Sequence, residues 1–234
     1  MPAKSTRRAR TPAPATGDPA AGERRVRAAL LRHGLLPMAG SSMPSVTTLV
    51  AGAPFAGSWW GHPAGRAIYA VGCRLADDPD TPLVKLLDGK DTWLHRRLVT
   101  ALLAVGRSGE PWQTRGLSPA ARALRSRLLR AGELPATGAA ARELQQRLLA
   151  VGEQVHTASG RHETRLRTWE RWAADRTGLA PATTPAAARR LLEAAARSLG
   201  GAPAVALLPW RAQAAAPRSQ SPATPRAGRR TARR

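Results

Sequence analysis

Apolar positions in the first third of the chain recur at helical intervals. Val26, Ala29, Leu30 and His33 share one side of a segment from 23 to 34, with Arg24, Arg25, Arg27 and Arg32 elsewhere and Gly34 placed to stop it. Ser45, after Pro44, opens a second short helix that Gly52 closes. A third runs from about Pro63 to Leu75, with Ala67, Ile68, Val71 and Leu75 on one face, and Asp77-Asp78-Pro79-Asp80 ends it. The pattern then changes. Leu83–Leu87 and Asp91–His95 read as strands around Asp88-Gly89-Lys90, a hairpin turn in which glycine tolerates positive φ. A helix from Arg96 to about Val105 follows, with Leu98, Ala101, Leu102 and Val105 at helical spacing.

The layout recurs in shorter form. Ser118-Pro119 starts a helix with Ala120, Leu124 and Leu128 on one side, and Gly132-Glu133-Leu134-Pro135 breaks it. Thr137 caps a helix through Ala150. Glu153–Thr157 and Arg161–Arg165 flank Ala158-Ser159-Gly160 as a second, more polar hairpin. Leu166, Trp169 and Trp172 then share a helix face, and a last amphipathic helix spans Pro185 to Leu199. The expected fold class is α+β, mainly helical with short hairpins.

Charge sharpens this picture. The 234 residues carry 37 Lys+Arg against 15 Asp+Glu, a formal +22, with 34 Arg but only three Lys. Residues 1–22 hold +3 and 211–234 hold +7 in Ala/Pro-rich sequence with no apolar period, so both are expected to be disordered basic tails. The remaining +12 falls on 23–210, which attracts polyanions. With 48 Ala, the arginine excess also fits a GC-rich genome. One cysteine, Cys73, excludes an intrachain disulfide framework and a Cys-based zinc cluster. No run approaches ~18 apolar residues, and the basic N-terminus has no apolar segment behind it, so neither a membrane span nor a secretory signal is expected. A cytoplasmic, nucleic-acid-binding protein fits best.

Helix, helix, helix, hairpin is the element order of a winged helix-turn-helix, in which the third helix enters the major groove and the hairpin, or wing, lies on the backbone. Residues 23–106 resemble one such unit and 117–176 a shortened second, with 177–210 packing on them. The order is similar to uncharacterised bacterial tandem winged-helix proteins. More distantly it resembles the winged-helix DNA glycosylases that unhook interstrand crosslinks. Their catalytic motif is Gln-x-Gln or a similar pair, whereas this chain has Gln145-Gln146, a different spacing.

That resemblance implies duplex DNA as partner, with RNA as the other polyanion. Arg66 and Arg74 on the third helix are candidates for the groove. Lys90, Arg96 and Arg97 around the first hairpin, and Arg161, Arg165 and Arg167 around the second, are candidates for phosphate. In Ser58-Trp59-Trp60-Gly61-His62-Pro63 the tryptophans either stack on bases or cap the core. Lys85, in a strand among apolar residues, is either a desolvated nucleophile or a wing lysine, and His62 is the other weak catalytic candidate. His156 and His162 flank the second turn; with Glu163 they make a poor metal set, and no cofactor is implied. The two alternatives are an enzyme with a Trp-lined base pocket and a protein–protein adaptor. The first requires Trp60, His62 and Lys85 to converge on one cleft.

Overall fold

A computed structural model describes residues 18–40, 42–55, 57–156, 162–176 and 183–215. The first helix, α1 (Pro19–His33), starts where Asp18 accepts hydrogen bonds from the amides of Ala20 (2.9 Å) and Ala21 (3.2 Å), and it ends at Gly34 with φ 86°. It begins ahead of the expected 23 because Asp18-Pro19 supplies an N-cap followed by a first-turn proline. Next come β1 (Leu35–Pro37), α2 (Val46–Ala51), α3 (Gly65–Ala76), β2 (Leu83–Lys85) and β3 (Asp91–Leu94). Ser45 and Thr48 form a capping box on α2 and Gly52 (φ 85°) stops it. β3 is the central strand: Leu35 pairs with Leu94 and Leu83 with Trp93, both antiparallel, so the sheet order is β1-β3-β2. β1 carries no alternation in the sequence because all three of its residues are buried.

The connecting helices α4 (Val99–Gly106) and α5 (Pro111–Thr114) lead to a second unit: α6 (Pro119–Ala131), β4 (Glu133–Pro135), α7 (Gly138–Gln146), β5 (Val151–His156) and β6 (His162–Arg167). Its strand order is β4-β6-β5, again with the last strand in the middle. The expected break at Gly132–Pro135 is therefore an edge strand. The helix expected through Ala150 stops at Gln146, before Leu148 takes φ 51°.

The two units also share a sequence repeat. Leu30-Leu31-Arg32-His33-Gly34-Leu35-Leu36-Pro37 and Leu128-Leu129-Arg130-Ala131-Gly132-Glu133-Leu134-Pro135 agree at six of eight positions. Leu30 and Leu128 are core residues. Gly34 and Gly132, both at positive φ, end the helix, and Leu36 and Leu134 lie mid-strand. Pro37 and Pro135 close edge strands, where a missing N–H costs least. Leu31 and Leu129 are 61% and 57% exposed, and packing does not explain their recurrence.

The chain continues through α8 (Trp169–Ala174), α9 (Pro185–Ala206) and α10 (Pro209–Ala215). α9 passes its expected end at Leu199 through a kink at Gly200-Gly201. α9 and α10 together are long and apolar enough to cross a membrane by composition; here Ala188, Leu192, Ala196 and Leu199 are buried in the core. α10 enters the stretch expected to be tail. Glu193 Oε1 accepts from Trp210 Nε1 (2.7 Å) and Arg211 Nε (2.9 Å), and Oε2 from Arg211 Nη2 (2.8 Å). Residues 1–17 and 216–234 of the expected tails, and Arg161, lie outside the described residues.

One core joins the first unit to α8, α9 and α10, around Ile68, Leu102, Leu103, Trp172 and Leu192; a smaller one between α6, α7 and β6 holds Leu128, Leu144 and Leu166. Gln113, fully buried, ties the units together: its amide nitrogen donates to the carbonyls of Val105 (3.2 Å) and Leu148 (3.3 Å). Gly106 has no room for a side chain, since a Cβ there would sit 2.2 Å from the Trp169 indole. Overall the fold is mostly helical α+β with two small antiparallel sheets.

Candidate nucleic-acid interface

The first hairpin turns at Asp88 (φ 53°, ψ 32°) and Gly89 (φ 61°), closed by the Lys90 amide donating to the Leu87 carbonyl (2.9 Å). Positive φ at both central residues matches the twist of the flanking strands. The tip does not project as a wing. The Asp88 amide donates to the Leu207 carbonyl (2.8 Å), Leu87 is buried, and a Cβ on Gly89 would fall 2.5 Å from the Gln146 amide nitrogen. The turn is thus docked against α7 and the α9–α10 junction. Gln145 packs similarly over Gly152 of β5, so both adjacent glutamines fill space between elements.

The cations around this hairpin are already engaged. Lys90 is 65% exposed but pairs with Asp88 (3.0 Å), and Arg96 faces Asp80 (3.5 Å). Arg97 turns back and donates to the carbonyls of Leu31 and Arg32 (3.0 Å to the latter), the last-turn acceptors of α1. An arginine at a helix start sits badly with the helix dipole unless a negative group shares the site; for Arg97 the negative end of α1 takes that place. A further candidate, Arg74, acts as an internal clamp together with Arg27. Arg74 bonds Glu23 and the Pro19 carbonyl (3.3 Å), while Arg27 bonds Glu23 (2.8 Å) and Asp78 (2.9 Å). Arg27 and Arg74 together hold the Glu23 carboxyl below the usual carboxylate range against the opposing effect of burial.

In the second unit, Arg165 pairs with Glu133 (2.9 Å) and Glu163 (3.4 Å). Arg167, only 11% exposed, meets Glu133 (2.9 Å), Glu153 (3.2 Å) and Asp175, and its guanidinium draws the Asp175 carboxyl below its ordinary value. Among the described residues, every Asp and Glu other than Asp18 and Asp77 is paired with a Lys or Arg in this way. Among the described residues the positive surplus therefore resides on the arginines left over.

The densest group of those among the described residues is on α6. Arg122, Arg125, Arg127 and Arg130 sit on a helix with no acidic residue, and among the described residues none lies within 4 Å of a carboxylate. Ala121 and Leu128 turn into the core, which sends Arg122, Arg127 and Arg130 to the exposed side with Arg125 at its edge. The helix is fixed at its start. The Ser118 hydroxyl accepts from the Ala121 amide (3.1 Å) and donates to Glu143 of α7 (2.7 Å), which also accepts from the Ser118 amide (3.1 Å). Burial pushes the Glu143 carboxyl up, but these Ser118 hydrogen bonds, together with the charges of Arg147 and Arg122, outweigh it and leave the group below its ordinary value. Reasoning from element order passed over these arginines because a first helix is not the groove-reading one. The signal, four arginines and no acid in thirteen residues, is plain in the sequence.

Around α3 the picture is aromatic. Trp59 and Trp60 stack at 4.0 Å and 24°, Tyr69 lies 5.8 Å from Trp60, and Phe55 stacks on His62 at 4.1 Å. Arg66, exposed on the same helix, has no carboxylate within 4 Å among the described residues. A separate cleft of about 460 Å³ lies between the units, walled by Lys85, Trp93, Arg142, Glu153 and Trp172 among others. Lys85 there bonds Asp91 (2.7 Å), and Trp59, Trp60 and His62 are not among its walls, so these groups do not converge. His156 and His162 are opposite each other in the β5–β6 register, their side chains lying outside the described residues. No family model matches the sequence, and no curated protein or solved structure is detectably similar to it.

Proposed function

We propose that the chain is a winged-helix-type nucleic-acid-binding protein that grips the phosphates of duplex DNA, with α6 as its principal cationic surface. The fold part of this reading draws on the element order α1-β1-α2-α3-β2-β3, on the matching strand orders of the two sheets, and on the Leu-Leu-Arg-x-Gly-x-Leu-Pro repeat. The second unit is shorter because α7 runs directly into β5. The single observation that carries the function is the set of unneutralised arginines on α6. Surface cations in a folded protein find carboxylates wherever the sequence supplies them, and this chain spends nearly all of its acids on internal pairs. Four arginines spaced along one helix then match a row of phosphates, each neutralised phosphate releasing counterions. Such contacts position without reading sequence, so weak sequence preference is expected.

The first hairpin takes no leading part here, because its tip is docked and its lysine paired. Replacing Arg125, Arg127 and Arg130 by Gln keeps a good helix former at each site and spares Arg122, which bonds the Leu117 carbonyl. Measured by fluorescence anisotropy on a 20-base-pair duplex at moderate salt, the triple variant should bind at least tenfold more weakly with an unchanged melting temperature. Binding equal to the parent's would remove α6 from the account, and a parent that fails to bind duplex even at low salt would end the duplex-DNA reading.

A further inference from the structure

Among the tryptophans, only Trp60 is exposed, at 67% of its surface. It is also firmly held. The Ser58 hydroxyl accepts from the Trp60 amide (3.4 Å), the Trp59 carbonyl accepts from the His62 amide (3.2 Å), and the His62 carbonyl accepts from the Gly65 amide (2.7 Å). Gly65 lets this turn sit directly on the start of α3: a Cβ there would lie 2.9 Å from the Trp59 carbonyl oxygen and 3.2 Å from that of Trp60. Trp59 packs against the core on one side and stacks on Trp60 with the other. The exposed indole is therefore a platform set on a half-buried one. Tyr69, 46% exposed, borders it at 41° to the ring plane.

We propose that the Trp60–Tyr69 face of α3 is a stacking site for unpaired bases of single-stranded nucleic acid. The inference rests on the nucleic-acid reading and adds to it a second, strand-separated substrate form. Three features favour a base over other aromatic-loving ligands. Parallel stacking of Trp60 on Trp59 is the arrangement that a further flat ring continues, and every base has such a face. The ring is pre-ordered, so binding immobilises little. Arg66, exposed and three residues before Tyr69 on the helix, puts a cation where a backbone phosphate beside a stacked base would lie. The same arginine, on a chain of net +22, disfavours a cationic ligand such as a quaternary ammonium group.

The test uses the full chain and two probes of equal length, a thymine homo-oligonucleotide and a duplex, with anisotropy for affinity and intrinsic tryptophan fluorescence for contact. The parent's emission should be quenched by the single strand. Trp60→Ala should bind the single strand about 5- to 150-fold more weakly, the range expected for losing one stacked base, while its duplex affinity stays within twofold. Trp60→Phe should recover most of the loss, because it restores a ring. If Trp60→Ala binds the single strand as the parent does, or if it loses duplex and single strand equally, the stacking site is wrong. In that first case intact duplex binding leaves the α6 reading standing. A parent that binds neither probe removes both.

Discussion

His95 shows how a single side chain records its surroundings. Its Nδ1 accepts the Arg97 amide (3.3 Å), which caps the turn leading into α4, and its own amide donates to the Gly34 carbonyl (2.8 Å). Burial pushes its pKa below the ordinary 6.5, and the charges of Arg97 and Arg96 add to this, outweighing Asp78 and Asp80. A base depressed on folding binds fewer protons in the native state than in the unfolded one. Stability therefore rises with pH across the window that ends near 6.5 and is lost as pH falls through it. The parent should lose more melting temperature between pH 7.5 and 5.5 than His95→Asn, which keeps a capping acceptor but does not titrate. Equal losses would show that His95 does not feel its neighbours in this way. At the same scale, the arginines divide by partner. Arg74, Arg97 and Arg167 are fastened inside the molecule and Arg122 is held by the Leu117 carbonyl, whereas Arg66, Arg125, Arg127 and Arg130 have no such partner among the described residues; residue type and position alone do not separate these groups.

The elements that could be read from the sequence are those whose signals are local. Ser45 with Gly52 frames α2, Ser118-Pro119 opens α6, and Asp88-Gly89 makes the hairpin turn, each because a capping or φ requirement is met within a few residues. β1 and β4 escaped because three-residue edge strands acquire their identity from partners far along the chain, Leu36 from Trp93 and Leu134 from Leu166. The docking of the hairpin tip was hidden for the same reason. A turn that looks exposed in sequence is covered by Leu207, which lies in a distant segment. Only the end of α10, residues 211–215, reads as tail in the sequence, because beyond Trp210 the helix offers no apolar residue larger than alanine; Trp210 itself is 6% exposed, set 5.7 Å from Trp112 and bonded to Glu193. Trp210→Ala should accordingly cost about 3–5 kcal/mol in a denaturant titration, as for other buried aromatics. A loss below about 1 kcal/mol would mean that α10 does not hold the hairpin side of the molecule.

At the scale of the whole molecule, the excess positive charge matters more than the number of arginines. Internal pairing consumes the acids, so the surplus collects on surfaces such as α6 that have no carboxylate to share. Composition exposed that surplus directly, and the broad expectation of a polyanion partner followed from it. Which surface carries it did not follow, since that depends on which arginines the fold fastens. The salt dependence of binding measures the surplus most directly. For the parent and for the Arg125, Arg127 and Arg130→Gln variant, the logarithm of the duplex association constant is followed against the logarithm of salt concentration. Each lost phosphate contact should flatten the slope by about 0.9, so the variant's slope should be shallower by about 2.7. Parallel lines for the two proteins would contradict the assignment of α6 as the phosphate-binding surface.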